Sequence, residues 1–189
     1  MKPSALKTLP ALLLALVLPA LAAATDYRAQ QPQSTLGFSA SFQGATFQGS
    51  FGQWHADIRY DPAQLARSHF DVTVDTTSAR TGDDDRDGAL PGADFFNATK
   101  YPQAHYVTTG FRRLGGEQVV ADGTLTLRGI THPLSLTVRF APQPGGSATL
   151  DVNGTLQRLD YGVGGGEYAD TSVIGNPVTV NAHLALVPK

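Results

Sequence analysis

Residues 119–140 read VVADGTLTLRGITHPLSLTVRF. Val119, Ala121, Leu125 and Leu127 alternate with Asp122, Thr126 and Arg128, and Leu134, Leu136, Val138 and Phe140 follow after a break at His132-Pro133. A period of two puts one face of a strand on a core and the other in water. The same alternation recurs to either side. Leu36, Phe38, Ala40 and Phe42 oppose Gly37, Ser39, Ser41 and Gln43, and Phe70, Val72, Val74 and Thr76 oppose Asp71, Thr73 and Asp75. Gly44, Asp61-Pro62, Gly115-Gly116, Gly129 and residues 142–146 and 175–177 supply turns at strand-length intervals, since glycine adopts positive φ and proline ends a ladder.

Runs near residues 27–31, 35–43, 46–60, 69–76, 104–113, 118–128, 133–141, 147–159 and 178–187 predict eight or nine strands. The fold class is all-β, and a single extended antiparallel eight-stranded barrel fits, because a closed sheet leaves no exposed edge. One short helix is expected within 82–94 and a single turn within 62–67. No repeat, linker or second domain is visible.

The N-terminal segment predicts where the protein works. Lys2 and Lys7 precede an apolar run over 9–21 that ends in Ala22-Ala23-Ala24, the arrangement of a cleavable signal peptide over 1–24. The run is short for a membrane span, so residues 25–189 are expected as a periplasmic domain and not as an integral membrane protein. Removing Lys2 and Lys7 takes the net charge from −2 to −4. With no basic cluster, nucleic acid is excluded as a partner. There is no cysteine, so neither disulfides nor a lipidated cysteine contribute.

An eight-stranded barrel either fills with side chains or holds one small ligand. Ala40, Gly49, Ala121, Gly123 and Ala182 are small residues at inferred inward positions, among Phe38, Phe42, Phe47, Phe51, Leu125, Leu136 and Val180. A packed core and a cavity both accommodate this set.

Several stretches together are more specific. Residues 34–38 (STLGF) and 47–51 (FQGSF) are followed by Arg86-Asp87, Leu90, Asp94-Phe95-Phe96 and Lys100-Tyr101-Pro102. Residues 123–131 (GTLTLRGIT), Pro133-Leu134, 162–164 (GVG) and 166–170 (GEYAD) complete the order. This ordered set resembles the YceI-like family, a branch of which usually carries tryptophan where this chain has Tyr168. The resemblance implies a lipocalin-like barrel, exported to the periplasm, that encloses a polyisoprenoid chain for transport or storage. The expected ligand is a polyprenyl diphosphate or an isoprenoid quinone, with no cofactor and no catalysis. An apolar lining of Phe38, Ala40, Phe42, Phe47, Phe51, Ala121, Leu125, Leu136 and Val180 would hold the tail. Arg86, Arg128 and His132 are candidates for a head group, guanidinium being suited to bidentate phosphate contact. Arg86 also has a competing structural role, favoured over the head group, as an ion-paired tie to the neighbouring aspartates. A homodimer is compatible with a barrel of this size.

The acidic run invites two other readings. Asp83-x-Asp85-x-Asp87-Gly88, with Asp94 after five further residues, approximates a calcium loop. A strand precedes it instead of a helix, Pro91 lies inside it and the last ligand is not Glu, so no metal is expected. A non-catalytic stress or interaction scaffold that offers residues 83–87 to a partner is the alternative function. Enzyme chemistry has no visible centre: His55, His69, His105, His132 and His183 lack ligand spacing, and there is no nucleophile elbow.

Overall fold

The computed structural model describes residues 24–116 and 118–189. The leader expected over residues 1–24 lies, but for Ala24, outside them. The strands are β1 (Thr25–Ala29), β2 (Thr35–Phe42), β3 (Ala45–Phe51), β4 (Trp54–Tyr60), β5 (His69–Asp75), β6 (Ala79–Arg80), β7 (Gln103–Gly115), β8 (Gln118–Leu127), β9 (Ile130–Pro142), β10 (Ala148–Gln157) and β11 (Pro177–Pro188). One short helix, α1 (Asp84–Ala89), interrupts them inside the expected window, and a 3-10 turn covers Leu65–Arg67.

These segments close an antiparallel eight-stranded barrel, because the first three barrel strands are each broken in two. β11 pairs with both β1 and β2 along one edge, β1 continues onto β4, and β2 onto β3. β5 pairs with β4, and β6 with β3. The registers differ across the break: Tyr27 faces Ile58, whereas Phe38 faces Gly49. The breaks have local causes. A 3-10 turn at Gln31–Gln33 contains Pro32, which has no amide hydrogen for a ladder. Gly52 and Gln53 bend the next strand. At Thr76–Ser78 the Asp75 carboxylate accepts from the Thr77 amide at 2.8 Å and starts a turn.

The hairpin between β8 and β9 turns on Arg128 (φ 52°) and Gly129 (φ 74°). Two left-handed residues match the twist of the flanking strands. The strand break expected at His132-Pro133 is therefore corrected: β9 already begins at Ile130, and Pro133 faces Thr124. Proline fits there because β10 accompanies β9 only over residues 137–142, so one side of Pro133 has no ladder to satisfy.

The end of the barrel at β1 and the last residue of β4 is filled. Tyr60 packs on Phe140, Phe70 and Phe111 with ring centroids 4.7, 6.0 and 6.3 Å apart, and Tyr27 meets Phe140 edge-on at 5.6 Å. Not every small inward residue leaves room. A Cβ on Gly49 would lie 2.3 Å from the Phe38 ring, and one on Gly123 would lie 2.5 Å from the Val107 carbonyl and 2.7 Å from Tyr106. Both glycines are seats for aromatic rings. Replacing Gly123 with alanine is expected to destabilise the barrel by about 1–3 kcal/mol through overpacking against backbone that cannot yield, read as a lower urea midpoint at unchanged m-value.

Candidate functional site

Beyond the aromatic plug the interior opens. Ile58, Phe70, Tyr106, Leu136, Leu150 and Leu184 make a floor, and Phe38, Ala40, Phe47, Phe51, Leu125, Val180 and Ala182 stand among the walls. The chamber offers about 230 Å³ to the centres of water-sized groups and presents an apolar surface throughout. Tyr106 keeps its hydroxyl out of that space by donating to the Ala121 carbonyl at 2.9 Å. Burial pushes its pKa far above the usual phenol range, so the floor stays uncharged.

Two segments roof the chamber. The first carries α1 and the turns after it. Asp83 caps the helix by accepting from the Arg86 amide at 3.0 Å, and Asp84, Asp85 and Asp87 sit in its first turn, where the helix dipole favours negative charge. Asp87 accepts from the Thr81 hydroxyl and amide at 2.7 and 2.6 Å; the hydroxyl bond is the larger cause of its lowered pKa. Part of the acidic run thus builds the roof that brings Leu90, Phe95 and Phe96 over the chamber. Among the described residues, no group of three or more His, Asp or Glu could share a metal ion.

The second segment runs from 158 to 176 and is organised by Arg158, which is 4% exposed. Its Nε donates to the Gly175 carbonyl at 3.0 Å, Nη1 to those of Val163 at 2.9 Å and Gly164, and Nη2 to those of Tyr168 and Ile174, both at 2.8 Å. Those five bonds use all five guanidinium hydrogens. Gly164 (φ 63°) lies so close that a Cβ would stand 2.6 Å from Nη1. Desolvation lowers the Arg158 pKa from its ordinary value, yet an arginine remains charged.

Outside the roof lies a vestibule of about 490 Å³, and Phe47, Leu90, Phe95 and Ile174 border both spaces. Chamber and vestibule thus adjoin across these four side chains. The rim carries Phe42, Tyr168 and Val173, which are 40%, 41% and 39% exposed.

Seven of the residues expected to line a cavity stand in the chamber wall or floor: Phe38, Ala40, Phe47, Phe51, Leu125, Leu136 and Val180. Two do not. Phe42 ends β2 at the rim, where it bridges Ile174, and faces the vestibule. Ala121 is fully buried outside the chamber, because Tyr106 closes the floor above it. The three head-group candidates are dispersed. Arg86 borders the vestibule with its guanidinium 4.8 Å from the Phe47 ring, 3.3 Å from Asp83 and 3.3 Å from the Thr81 hydroxyl. Arg128 donates to the Asp94 carbonyl at 2.9 Å and to that of Phe95, and His132 Nε2 stands 3.1 Å from the Asp160 carbonyl. Both fasten the roof and line neither space. Arg158 was not singled out; its only signal is the glycine run at 162 and 164–166, which turns carbonyls inward.

The geometry is that of a lipocalin-like barrel with a closed floor, apolar walls and a roofed entrance. A model of the YceI-like domain matches residues 27–186. A UPF0312 protein of Vibrio cholerae is 32% identical over 177 residues, covering 87% of this chain and 94% of that protein. Protein YceI of Shigella flexneri is 32% identical over 120 residues, which span 61% of this chain and 62% of that protein. Among solved structures, BcnA of Burkholderia cenocepacia superposes with a TM-score of 0.79 at 29% identity, covering 83% of this chain and 98% of that one. A polyisoprenoid binding domain from Saccharophagus degradans shares the fold, with a TM-score of 0.62 at 19% identity over 87% and 99% of the two chains. The chain belongs to the YceI-like family.

Arg158→Met would orphan five inward-turned carbonyls, and a loss of about 3–5 kcal/mol is expected, measured by urea unfolding. Arg158→Lys, with three donors instead of five, is expected to fall between that variant and the wild type.

Proposed function

We propose that the protein binds one chain-shaped apolar lipid, a polyisoprenoid, and carries or stores it in the periplasm without transforming it. The observation that carries this reading is the apolar chamber with a closed floor, adjoined at its roof by a larger vestibule. A floor sets one end for a tail, and a vestibule leaves the other end in contact with solvent.

The volume sets a scale. At roughly 30 Å³ per water-sized group, 230 Å³ receives about eight methylene-sized groups, one to two isoprene units. The rest of a longer chain would occupy the vestibule. Each buried methylene contributes about 0.8 kcal/mol before the cost of ordering the chain, so a few units suffice for stable binding. The Saccharophagus degradans domain, described as polyisoprenoid binding, adds support at the level of the fold only. The leader expected over residues 1–24 supports export. Among the described residues, no helix is long and apolar enough to cross a membrane.

The scaffold reading is weaker because Asp83 and Asp87 are committed to holding α1 and its approach. Native and denaturing mass spectra of protein purified from its export compartment, with an organic extract of the same sample, are expected to show one isoprenoid per chain. Ala40→Trp and Ala182→Phe, which fill the chamber from neighbouring strands, are expected to fold and to lose that lipid. A wild-type barrel that is empty, or filled variants that keep their lipid, would contradict carriage.

A further inference from the structure

We propose that the mouth sorts ligands by charge: Asp85, Glu167 and Asp170 repel anionic heads, so the lipid held in the chamber ends in an uncharged polar group. This rests on the lipid-binding reading above and narrows its ligand class.

The first support is an accounting of donors. A diphosphate needs several N–H or O–H groups aimed at its oxygens, and the cations near the two spaces are already engaged. Arg158 borders the chamber but spends all five guanidinium hydrogens on backbone carbonyls. Arg86, the one cation among the residues bordering the vestibule, stacks on Phe47 and faces Asp83 and Thr81. Arg128 and His132 face the roof's own carbonyls.

The second support is the sign of the rim. Asp85 approaches the vestibule from α1, and Glu167 and Asp170 from the 158–176 segment, so carboxylates stand on both sides of the opening. All three are exposed. Asp170 accepts from the Ser172 hydroxyl and amide at 2.7 and 2.8 Å, which keep its pKa low and its charge in place. Arg86 is offset by Asp83, leaving three negative charges around a head that must stand in the vestibule once its tail is on the floor. The tail itself meets no polar surface in the chamber, so discrimination falls on the head. An alcohol or carbonyl oxygen tolerates that setting, whereas a phosphate oxygen meets like charge and one arginine whose charge Asp83 already offsets.

The test is titration calorimetry of the full chain, freed of bound lipid, with farnesol and farnesyl diphosphate at low ionic strength. The two share one tail and differ only in the head. Farnesol is expected to bind at least about tenfold more tightly, with the gap narrowing as salt screens the rim. Glu167→Gln with Asp170→Asn is expected to close most of the gap through the diphosphate alone. Should Asp170→Asn lower the melting temperature, Glu167→Gln with Asp85→Asn makes the same comparison. Equal or tighter binding of the diphosphate by the wild type, or a gap that the neutralised rim leaves unchanged, would overturn the selectivity while leaving lipid binding intact. Binding of neither probe would overturn the lipid reading and the selectivity with it.

Discussion

The offset between the two halves of the first three barrel strands governs the rest of the molecule. β1 and β4 keep one register and β2 and β3 another, while β11 spans both and closes the barrel against each. A closed sheet must satisfy every ladder around its circumference, so a break in one strand must be matched in the next, and three successive strands break together. Far below the break, past Ile58, the interior is filled by Tyr27, Tyr60, Phe70, Phe111 and Phe140. Around the break the centre is left open, with Trp54, Ala56 and Val72 on one side and the rings of Phe38 and Phe51, 5.4 Å apart, on the other. One barrel thus has a core at one end and a chamber at the other.

The chamber needs a roof that is not a strand, and polar chemistry makes it. Aspartates cap and orient α1, and Arg158 gathers five carbonyls into the opposite segment. Neither device adds apolar area; each fixes backbone that would otherwise have no ladder to join. The segments meet where the Gly164 amide donates to the Asp94 carbonyl at 2.7 Å and Phe95 packs on Tyr168 at 5.0 Å.

Much of this was legible in the residues. Alternation across 119–140 and 35–42 marked strands, because a half-buried strand writes its burial into a period of two. Most of the chamber wall followed from the same parity. Depth did not. Parity says that Ala121 and Leu125 face inward, but not that Tyr106 ends the chamber between them, since that depends on a ring from another strand. Phe42 has the parity of the wall and lies at the rim because β2 ends there. Gly49 and Gly123 read as space and proved to be seats for rings. The polar sites were the least legible. Arg128 looked free to meet a head group, and only folding brings it to Asp94 and Phe95, more than thirty residues away. Arg158 carried no motif, as carbonyl acceptors are common to every sequence.

The central claim is that the chamber is a seat for a tail and not an unfilled part of the core. An experimental electron-density map of the protein as purified from its native host tests it most directly. The account predicts continuous density for one chain, rising from the floor at Phe70 and Tyr106 past Phe95 into the vestibule. A chamber occupied by its own collapsed side chains, or by ordered water alone, would contradict it.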